Sequence, residues 1–309
     1  MFTLAHLTDI HLAPLVGFAP RHWNTKRLLG YLNWQRRRKR DHIRAALDAL
    51  VADLLTQAPD HIAVTGDLVN IGLPLEHVRA LEWLQALGPP ERVTVVPGNH
   101  DIYVRMRPDP GTRRWAAYMS SNAAGSACVE SLPDGFPFVR RVGDVALIGL
   151  CSAVPTPPFV ASGRLGPEQR RALADVLGRL HKDGLFRVVL IHHPPLPGQA
   201  RPSRGLQDAA ELEAILLKCG AELVLHGHNH LNMLSWRHWQ AGAVPVVGLP
   251  SASMGRRHKG EPLARYNLYR IHVDRQSSRI ELISRGLAEP GGPTVEIERR
   301  WLTPEFTEF

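Results

Sequence analysis

Histidine and acidic residues recur in five short segments, each of which follows an apolar stretch with the character of a β-strand. Imidazole and carboxylate groups are ligands for divalent Zn, Mn, Fe or Co. Together the segments contain three carboxylates, two carboxamides and six imidazoles, enough for two cations with positions left for water and substrate. The segments are Asp9-Ile10-His11, Gly66-Asp67, Gly98-Asn99-His100-Asp101, His192-His193-Pro194-Pro195 and Gly227-His228-Asn229-His230.

Signatures of other catalytic strategies are missing from the sequence. It contains no G-x-S-x-G motif and no cysteine within a local catalytic signature, so no serine or cysteine nucleophile is indicated. It also lacks GxxxxGK[ST], which argues against a motor driven by a nucleoside triphosphate. The metal-ligand pattern is therefore the main chemical signal in this chain.

Strand-like and helical segments alternate along most of the chain. Phe2–Leu7 is predicted to be a buried strand, 41–57 a helix, and 243–283 several antiparallel strands. This alternation predicts an α/β fold with helices outside a sheet, and the strand-rich C-terminal third predicts a second sheet packed against the first. Because loops at the carboxyl ends of strands form the site in such folds, we expect the five segments to meet.

The domain organisation is predicted to be simple. We expect one domain over residues 1–285, with an insertion at 14–40 between the first strand and the first helix, and a C-terminal tail at 286–309. The three cysteines are odd in number and widely spaced, which indicates reduced thiols rather than a disulfide framework. With neither a signal peptide nor a transmembrane segment evident, we expect a cytoplasmic protein, with a peripheral position at the inner membrane left open.

The order of the motifs, D-x-H, G-D, G-N-H-D, H-H and G-H-x-H, resembles the calcineurin-like metallophosphoesterases over residues 3–255. The resemblance implies an α/β fold of the four-layer αββα sandwich type and a centre of two divalent metal ions (Mn, Fe, Zn or Co). One metal would be held by Asp9, His11 and His230. The other would be held by Asn99, His192 and His228, with Asp67 bridging the two.

Residues beside these ligands are expected to have other roles. His100 matches the family's non-ligand histidine, which contacts the phosphoryl oxygens or protonates the leaving group. Asp101 is expected to orient His100, since outer carboxylates fix imidazoles in many metal sites. We expect His193 to support the site or contact the substrate, and His226 to be a strand-end histidine that binds no metal.

The reaction implied by the resemblance is hydrolysis of a P–O bond by in-line attack of a hydroxide that bridges the two metals. The layout is similar to the bacterial class III cyclic-nucleotide phosphodiesterases, so a phosphodiesterase with a cyclic-nucleotide-type substrate is the leading expectation. Three alternatives stay open. They are a UDP-2,3-diacylglucosamine hydrolase of lipid A synthesis at the inner membrane surface, a nuclease, and a scaffold that has kept the fold without catalysis.

Positive charge is concentrated near the N-terminus. Residues 1–44 hold nine basic and two acidic side chains, which accounts for +7 of the formal net charge of +8. Residues 21–40, called the basic arm below, interleave aromatic and leucine side chains with cations, five of them consecutive at 36–40. The arm predicts an anionic partner. It could be a lid or packing element beside the site, a contact with an anionic membrane or lipid substrate, or, least favoured, a nucleic-acid contact. The oligomeric state is left open, including a homo-oligomer.

Overall fold

The computed structural model describes residues 1–105, 109–130, 132–240, 242–258, 260–274 and 278–303. The strands of the first sheet, in the order β12-β11-β10-β1-β2-β3, are β1 (Phe2–Leu7), β2 (His61–Val64), β3 (Val93–Val95), β10 (Arg265–His272), β11 (Arg279–Leu287) and β12 (Thr294–Trp301). The strands of the second sheet, in the order β4-β5-β6-β7-β9-β8, are β4 (Phe138–Val142), β5 (Val145–Gly149), β6 (Phe186–Leu190), β7 (Leu223–His226), β8 (Met233–Trp239) and β9 (Gly242–Gly248).

Helices connect the strands and cover the sheets. The α-helices of the described chain are α1 (Thr25–Asn33), α2 (Lys39–Asp41), α3 (Arg44–Thr56), α4 (Pro74–Leu87), α5 (Ala123–Ser126), α6 (Pro167–Lys182) and α7 (Ala209–Cys219). A π-helical turn, Trp34–Arg38, links α1 to α2. Within the described residues, no helix combines the length and the apolar character that crossing a bilayer requires.

Three apolar layers separate the sheets and helices. One lies between the first sheet and α3 and α4, one between the two sheets, and one between the second sheet and α6 and α7. Side chains alternate between layers along a strand, as the period of two requires: Leu4 lies between the sheets, whereas Ala5 faces the helices. The predicted αββα sandwich is therefore confirmed.

The topology brings the carboxyl ends of the central strands to a common edge. β1, β2 and β3 are parallel in the first sheet, and β5, β6, β7 and β9 are parallel in the second. The five polar segments follow β1, β2, β3, β6 and β7. Packing the two sheets face to face therefore places segments that lie far apart in sequence next to each other.

The C-terminal boundary differs from the prediction. Residue 285 lies inside β11, and Thr294–Trp301 pairs antiparallel with β11 as the edge strand β12. The tail predicted for 286–309 is thus corrected to a strand for 294–301, while 304–309 lie outside the described residues. Most side chains of β12 are exposed and several are charged, so this strand lacks the apolar signal that sequence analysis relies on.

An ion pair between a buried arginine and a partly exposed glutamate ties β6 to the region outside the second sheet. The side chain of Arg187 is fully buried, and its Nη2 lies 2.7 Å from Glu222 Oε1. Its Nη1 donates to the carbonyls of Leu177 and Cys219, near the C-terminal ends of α6 and α7. Because β6 leads to His192, this contact fixes the strand that carries one of the predicted ligands.

We expect Glu222→Ala to lower the free energy of unfolding by about 3 kcal/mol, because it leaves the Arg187 guanidinium buried without its counter-charge. Urea denaturation followed by circular dichroism measures the change. Glu82→Ala is the matched control: its pair with Arg79 is solvent-exposed, and its loss should cost less than about 1 kcal/mol. Equal unfolding midpoints for the two variants would contradict this role of Arg187.

Candidate metal centre

The loops of the site hold an unusual backbone conformation. In the described part of the chain, seven residues other than glycine have positive φ, and five of these are predicted ligands: Asp9 (52°), His11 (41°), Asp67 (53°), His228 (70°) and His230 (55°). Such a conformation costs an L-residue roughly 1–2 kcal/mol. Strain of this kind accumulates at functional sites, where the surrounding structure compensates for it.

Backbone hydrogen bonds between the loops supply part of that compensation. The amide of Asp9 donates to Gly66 O at 3.0 Å, and the amide of His11 donates to Asp67 O at 2.8 Å. The amide of Gly227 donates to His192 O at 3.0 Å, which joins the loops after β6 and β7 in the same way. The ligand-bearing loops of each sheet are therefore held against one another by their main chains.

A first ligand group consists of Asp9, His11 and His230, whose candidate ligand atoms all lie within 4.8 Å of one another. His230 Nε2 lies 3.0 Å from Asp9 Oδ1, and His11 Nε2 lies 3.9 Å from the same oxygen. Ligands bound about 2.0–2.2 Å from one cation lie roughly 3–4 Å apart. The group therefore has the size of a single metal site.

A second group consists of Asp67, His192 and His228. His192 Nδ1 donates to the Thr65 carbonyl at 2.7 Å, which leaves the Nε2 lone pair facing inward. Nε2 lies 3.2 Å from Asn99 Oδ1 and 3.3 Å from His228 Nδ1. Several atoms with lone pairs thus point at one another, an arrangement that a cation at their centre would stabilise.

Asp67, a member of the second group, also faces the first group. Its Oδ2 is 3.8 Å from His11 Nε2 in the first group and 3.4 Å from His192 Nε2 in the second. Its Oδ1 accepts a hydrogen bond from the backbone amide of His100 at 2.7 Å, so the carboxylate is held in one orientation. This is the placement that a bridging ligand requires.

Two glycines make the close approach of these groups possible. A Cβ atom on Gly98 would lie 2.5 Å from the amide nitrogen of Asp67 and would also collide with the Asp67 carboxylate. A Cβ atom on Gly227 would collide with Thr8 and with the Asp9 carboxylate. The glycines of the G-N-H-D and G-H-x-H motifs are therefore needed for steric reasons beside the carboxylates.

The electrostatics of the site favour positive charge. Burial lowers the pKa of His192 and of His230, yet the neighbouring carboxylates outweigh it and raise both values to about 9. Asp67 makes the largest contribution to raising the pKa of His192. Asp9 makes the largest contribution to raising the pKa of His230, and Glu261 adds to it. The buried carboxylates of Asp9 and Asp67 have lowered pKa values despite their burial. The residues present therefore fit a pair of divalent cations.

Outer contacts orient the imidazoles of the first group. His11 Nδ1 lies 3.2 Å from the Val69 carbonyl, and His230 Nδ1 lies 3.0 Å from Glu261 Oε2. In each ring the contacted nitrogen is the one that faces away from Asp9. Contacts of this type fix the tautomer and present the other nitrogen to a metal.

His100 lies at the edge of the site, and its ring nitrogens are outside both ligand groups. Its Nδ1 donates to the Asn70 carbonyl, and its Nε2 lies 3.1 Å from Arg38 Nη1. Burial, followed by the charge of Arg38, lowers the pKa of His100 to about 3. The imidazole is therefore neutral at pH 7 in this arrangement.

The expected role of Asp101 is corrected. Instead of orienting the His100 ring, its carboxylate accepts hydrogen bonds from the amides of Leu68, Val69 and Gly98 at 2.8, 3.1 and 2.8 Å. Burial and the nearby Asp67 charge raise the pKa of Asp101 to about 7. Asp101 thus joins the loops after β2 and β3, and the ring of His100 is oriented by the Asn70 carbonyl.

Two further histidines named in the sequence analysis, His193 and His226, lie outside the ligand groups. His193 Nδ1 lies 2.7 Å from Ser152 Oγ and its Nε2 lies 3.1 Å from the Ala161 carbonyl, so both nitrogens face protein atoms. His226 ends β7 and is fully buried, with Nδ1 3.2 Å from the Gly227 carbonyl. These contacts are those of residues that support the ligand loops and do not bind a metal themselves.

Sequence analysis missed three residues that border the first ligand group. Arg38 Nη2 lies 2.7 Å from His11 Nε2. The ring of His42 lies 4.5 Å from that of His11, centre to centre, and its Nδ1 lies 2.8 Å from Ser253 Oγ. Glu261 contacts His230, as described above. None of the three belongs to a recognisable motif, and the five-residue cation run gives no sign that one member turns inward.

Comparison with known proteins agrees with this geometry. The model of the calcineurin-like phosphoesterase family matches residues 2–232. A probable cyclic nucleotide phosphodiesterase from Synechococcus sp. is 29% identical over 209 residues, which are 67% of this chain and 70% of the relative.

Solved structures share the fold. A dimetal phosphatase from Danio rerio superposes with a TM-score of 0.60 at 15% identity, covering 96% of this chain and 98% of that one. The purple acid phosphatase PPD1 from yellow lupin superposes with a TM-score of 0.55 at 12% identity, covering 97% of this chain and 53% of that one. With the family match and the two ligand groups, the chain belongs to the calcineurin-like phosphoesterase family and is a metal-dependent phosphoester hydrolase.

Proposed function

We propose that the protein is a phosphodiesterase that uses two divalent cations, and that its first candidate substrate is a cyclic nucleotide. The observation that carries the proposal is the position of Asp67, which belongs to one compact His/Asp group and also lies close to the other. The name of the Synechococcus relative supports the substrate class. Mn, Fe, Zn and Co all suit this mixture of imidazole and carboxylate ligands.

The proposed ligands follow the two groups. Asp9, His11 and His230 would hold one cation, Asn99, His192 and His228 would hold the other, and Asp67 would contact both. When bound, the cations supply an activated water and neutralise charge on the phosphoryl group. The carbonyls of Thr65 and Val69 and the carboxylate of Glu261 keep the ligand imidazoles in place. His100 contributes an imidazole at the edge where the phosphoryl oxygens would lie.

The direct test is metal analysis of the purified protein together with turnover of bis(p-nitrophenyl) phosphate under Mn²⁺. We expect two metal ions per chain, activity that is lost on chelation, and recovery on addition of Mn²⁺. A protein that binds no metal and is inert toward the diester would contradict the proposal and favour a scaffold.

A second candidate is hydrolysis of UDP-2,3-diacylglucosamine at a membrane surface. It is favoured by exposed apolar side chains of the basic arm, with Trp23 60% exposed and Leu28 and Leu32 each 40% exposed, beside exposed cations. Trp beside Lys and Arg suits a membrane interface. A substrate panel of 3′,5′-cyclic AMP, UDP-2,3-diacylglucosamine, p-nitrophenyl phosphate and single-stranded DNA separates the candidates. If kcat/KM is highest for UDP-2,3-diacylglucosamine, that lipid replaces the cyclic nucleotide as the proposed substrate.

Asp67→Ala is expected to lose metal at both sites, because the carboxylate lies within reach of both ligand groups. Inductively coupled plasma mass spectrometry measures the metal content per chain. Asp53→Ala removes a carboxylate that pairs with Arg285, away from the predicted ligands, and should keep two ions. A full metal complement in the Asp67 variant would show that Asp67 does not bridge.

His100→Ala is expected to keep both metals and to lower kcat by about 100- to 1000-fold, the usual cost of removing a group that acts on the transition state. The backbone amide that donates to Asp67 is retained in this variant. His238→Ala, on the exposed face of β8, serves as the control and should have unchanged kcat. Loss of metal from the His100 variant would overturn the assignment of His100 as a non-ligand.

A further inference from the structure

Arg38 is the member of the cation run at 36–40 that turns toward the metal centre. Its Nη2 lies 2.7 Å from His11 Nε2, and its Nη1 lies 3.1 Å from His100 Nε2. The other four cations of the run are exposed. One positive charge is therefore placed between a proposed metal ligand and the residue proposed to face the phosphoryl group.

The backbone of the basic arm explains why Arg38 and not its neighbours turns inward. Trp34–Arg38 forms a π-helical turn, which is wider than an α-helical turn and shifts the side chains that follow. Trp34, at the start of the turn, is only 9% exposed and anchors it against the domain. Turns of this type are found frequently at functional sites.

The start of the arm is fixed to loops that border the site. Arg27 is buried and donates to the carbonyls of Ile71 and Gly72. Gly30 lies so close to Tyr103 that a Cβ atom there would be 2.6 Å from Tyr103 Oη. The Tyr103 ring in turn stacks on His100 with 5.4 Å between ring centres.

The residues that directly follow the arm are fixed to the loop after β9. Asp41 pairs with Arg256, with 2.7 Å between Oδ1 and Nε. The amide of Gly255 donates to the Asp41 carbonyl at 2.8 Å, and the amide of Ile43 donates to the Ser253 carbonyl at 2.8 Å. Arg38 thus projects from a segment that is held at both ends.

The guanidinium group of Arg38 carries hydrogen-bond donors that an anion would accept more strongly than the present neutral acceptors. Its present acceptors are ring nitrogens, and His11 Nε2 ceases to accept a hydrogen bond once its lone pair coordinates a cation. The planar fork of an arginine matches two oxygens of a phosphoryl group, and hydrogen bonds between charged groups are the stronger ones. We propose that Arg38 is a substrate-binding residue that holds the non-bridging oxygens of the phosphoryl group beside His11 and His100.

This inference rests on the proposed function and names a residue for it. The probe is inorganic phosphate, titrated by calorimetry into the Mn²⁺-loaded protein, so that the readout does not depend on turnover. We expect Arg38→Met to weaken phosphate binding by about 10- to 100-fold, the loss typical of hydrogen bonds to a charged group. Arg38→Lys should fall in between, because an ammonium keeps the charge but lacks the fork.

Arg37→Met is the matched control, since Arg37 is an exposed cation in the same turn and should leave the phosphate affinity within about twofold. All three variants should keep two metals per chain and the wild-type circular dichroism spectrum. For the diester, Arg38→Met should raise KM, because the contact is present before the reaction starts.

Equal phosphate affinity for Arg38→Met and wild type would overturn the proposal. If the variant also bound metal more tightly, Arg38 would be a competitor of the metal instead of a substrate-binding residue. Failure of the proposed function looks different: the wild-type protein would turn over no diester, whereas the effect of Arg38→Met on phosphate binding would still be measurable.

Discussion

The buried carboxylates of Asp9 and Asp67, with the imidazole lone pairs around them, require positive charge at the centre of the site. The rest of the site depends on this requirement. Burial alone would lower the pKa of His192 and His230, yet both values are raised to about 9. Desolvation of an uncompensated carboxylate is expensive, so such a cluster is stable only with protons or cations inside it. A pair of divalent ions would meet the requirement and would supply the Lewis acid and the activated water that phosphoester hydrolysis needs.

The αββα architecture brings the ligands together from distant parts of the sequence. Parallel strands of both sheets end at a common edge, and the segments after β1, β2, β3, β6 and β7 each carry one or two proposed ligands. The price is local backbone strain at five of the proposed ligands, offset by hydrogen bonds between the loops. Gly98 and Gly227 let the carboxylates pack against neighbouring main chain where a side chain would collide. The geometry is thus produced by strand ends and glycines as much as by the ligands themselves.

Much of this site could be predicted from the sequence, because each motif is local and follows an apolar strand. The convergence of Asp9, Asp67 and His228 follows once those strands are parallel. The role of Asp101 could not be predicted, since a carboxylate beside a histidine gives no sign that it accepts three backbone amides instead. The inward orientation of Arg38 could not be predicted either, because a run of similar cations contains no sequence signal for a π-helical turn. The edge strand β12 was missed because its side chains are mostly exposed. The membrane contact of the basic arm and the homo-oligomer stay open alternatives, and the cytoplasmic location stays a prediction.

The central claim is that one carboxylate links two cations. It is tested most directly by anomalous diffraction from crystals of the protein grown with Mn²⁺. We predict two anomalous peaks roughly 3.5–4 Å apart, with the Asp67 carboxylate in contact with both. A single peak, or two peaks of which only one lies within coordination distance of Asp67, would contradict the account.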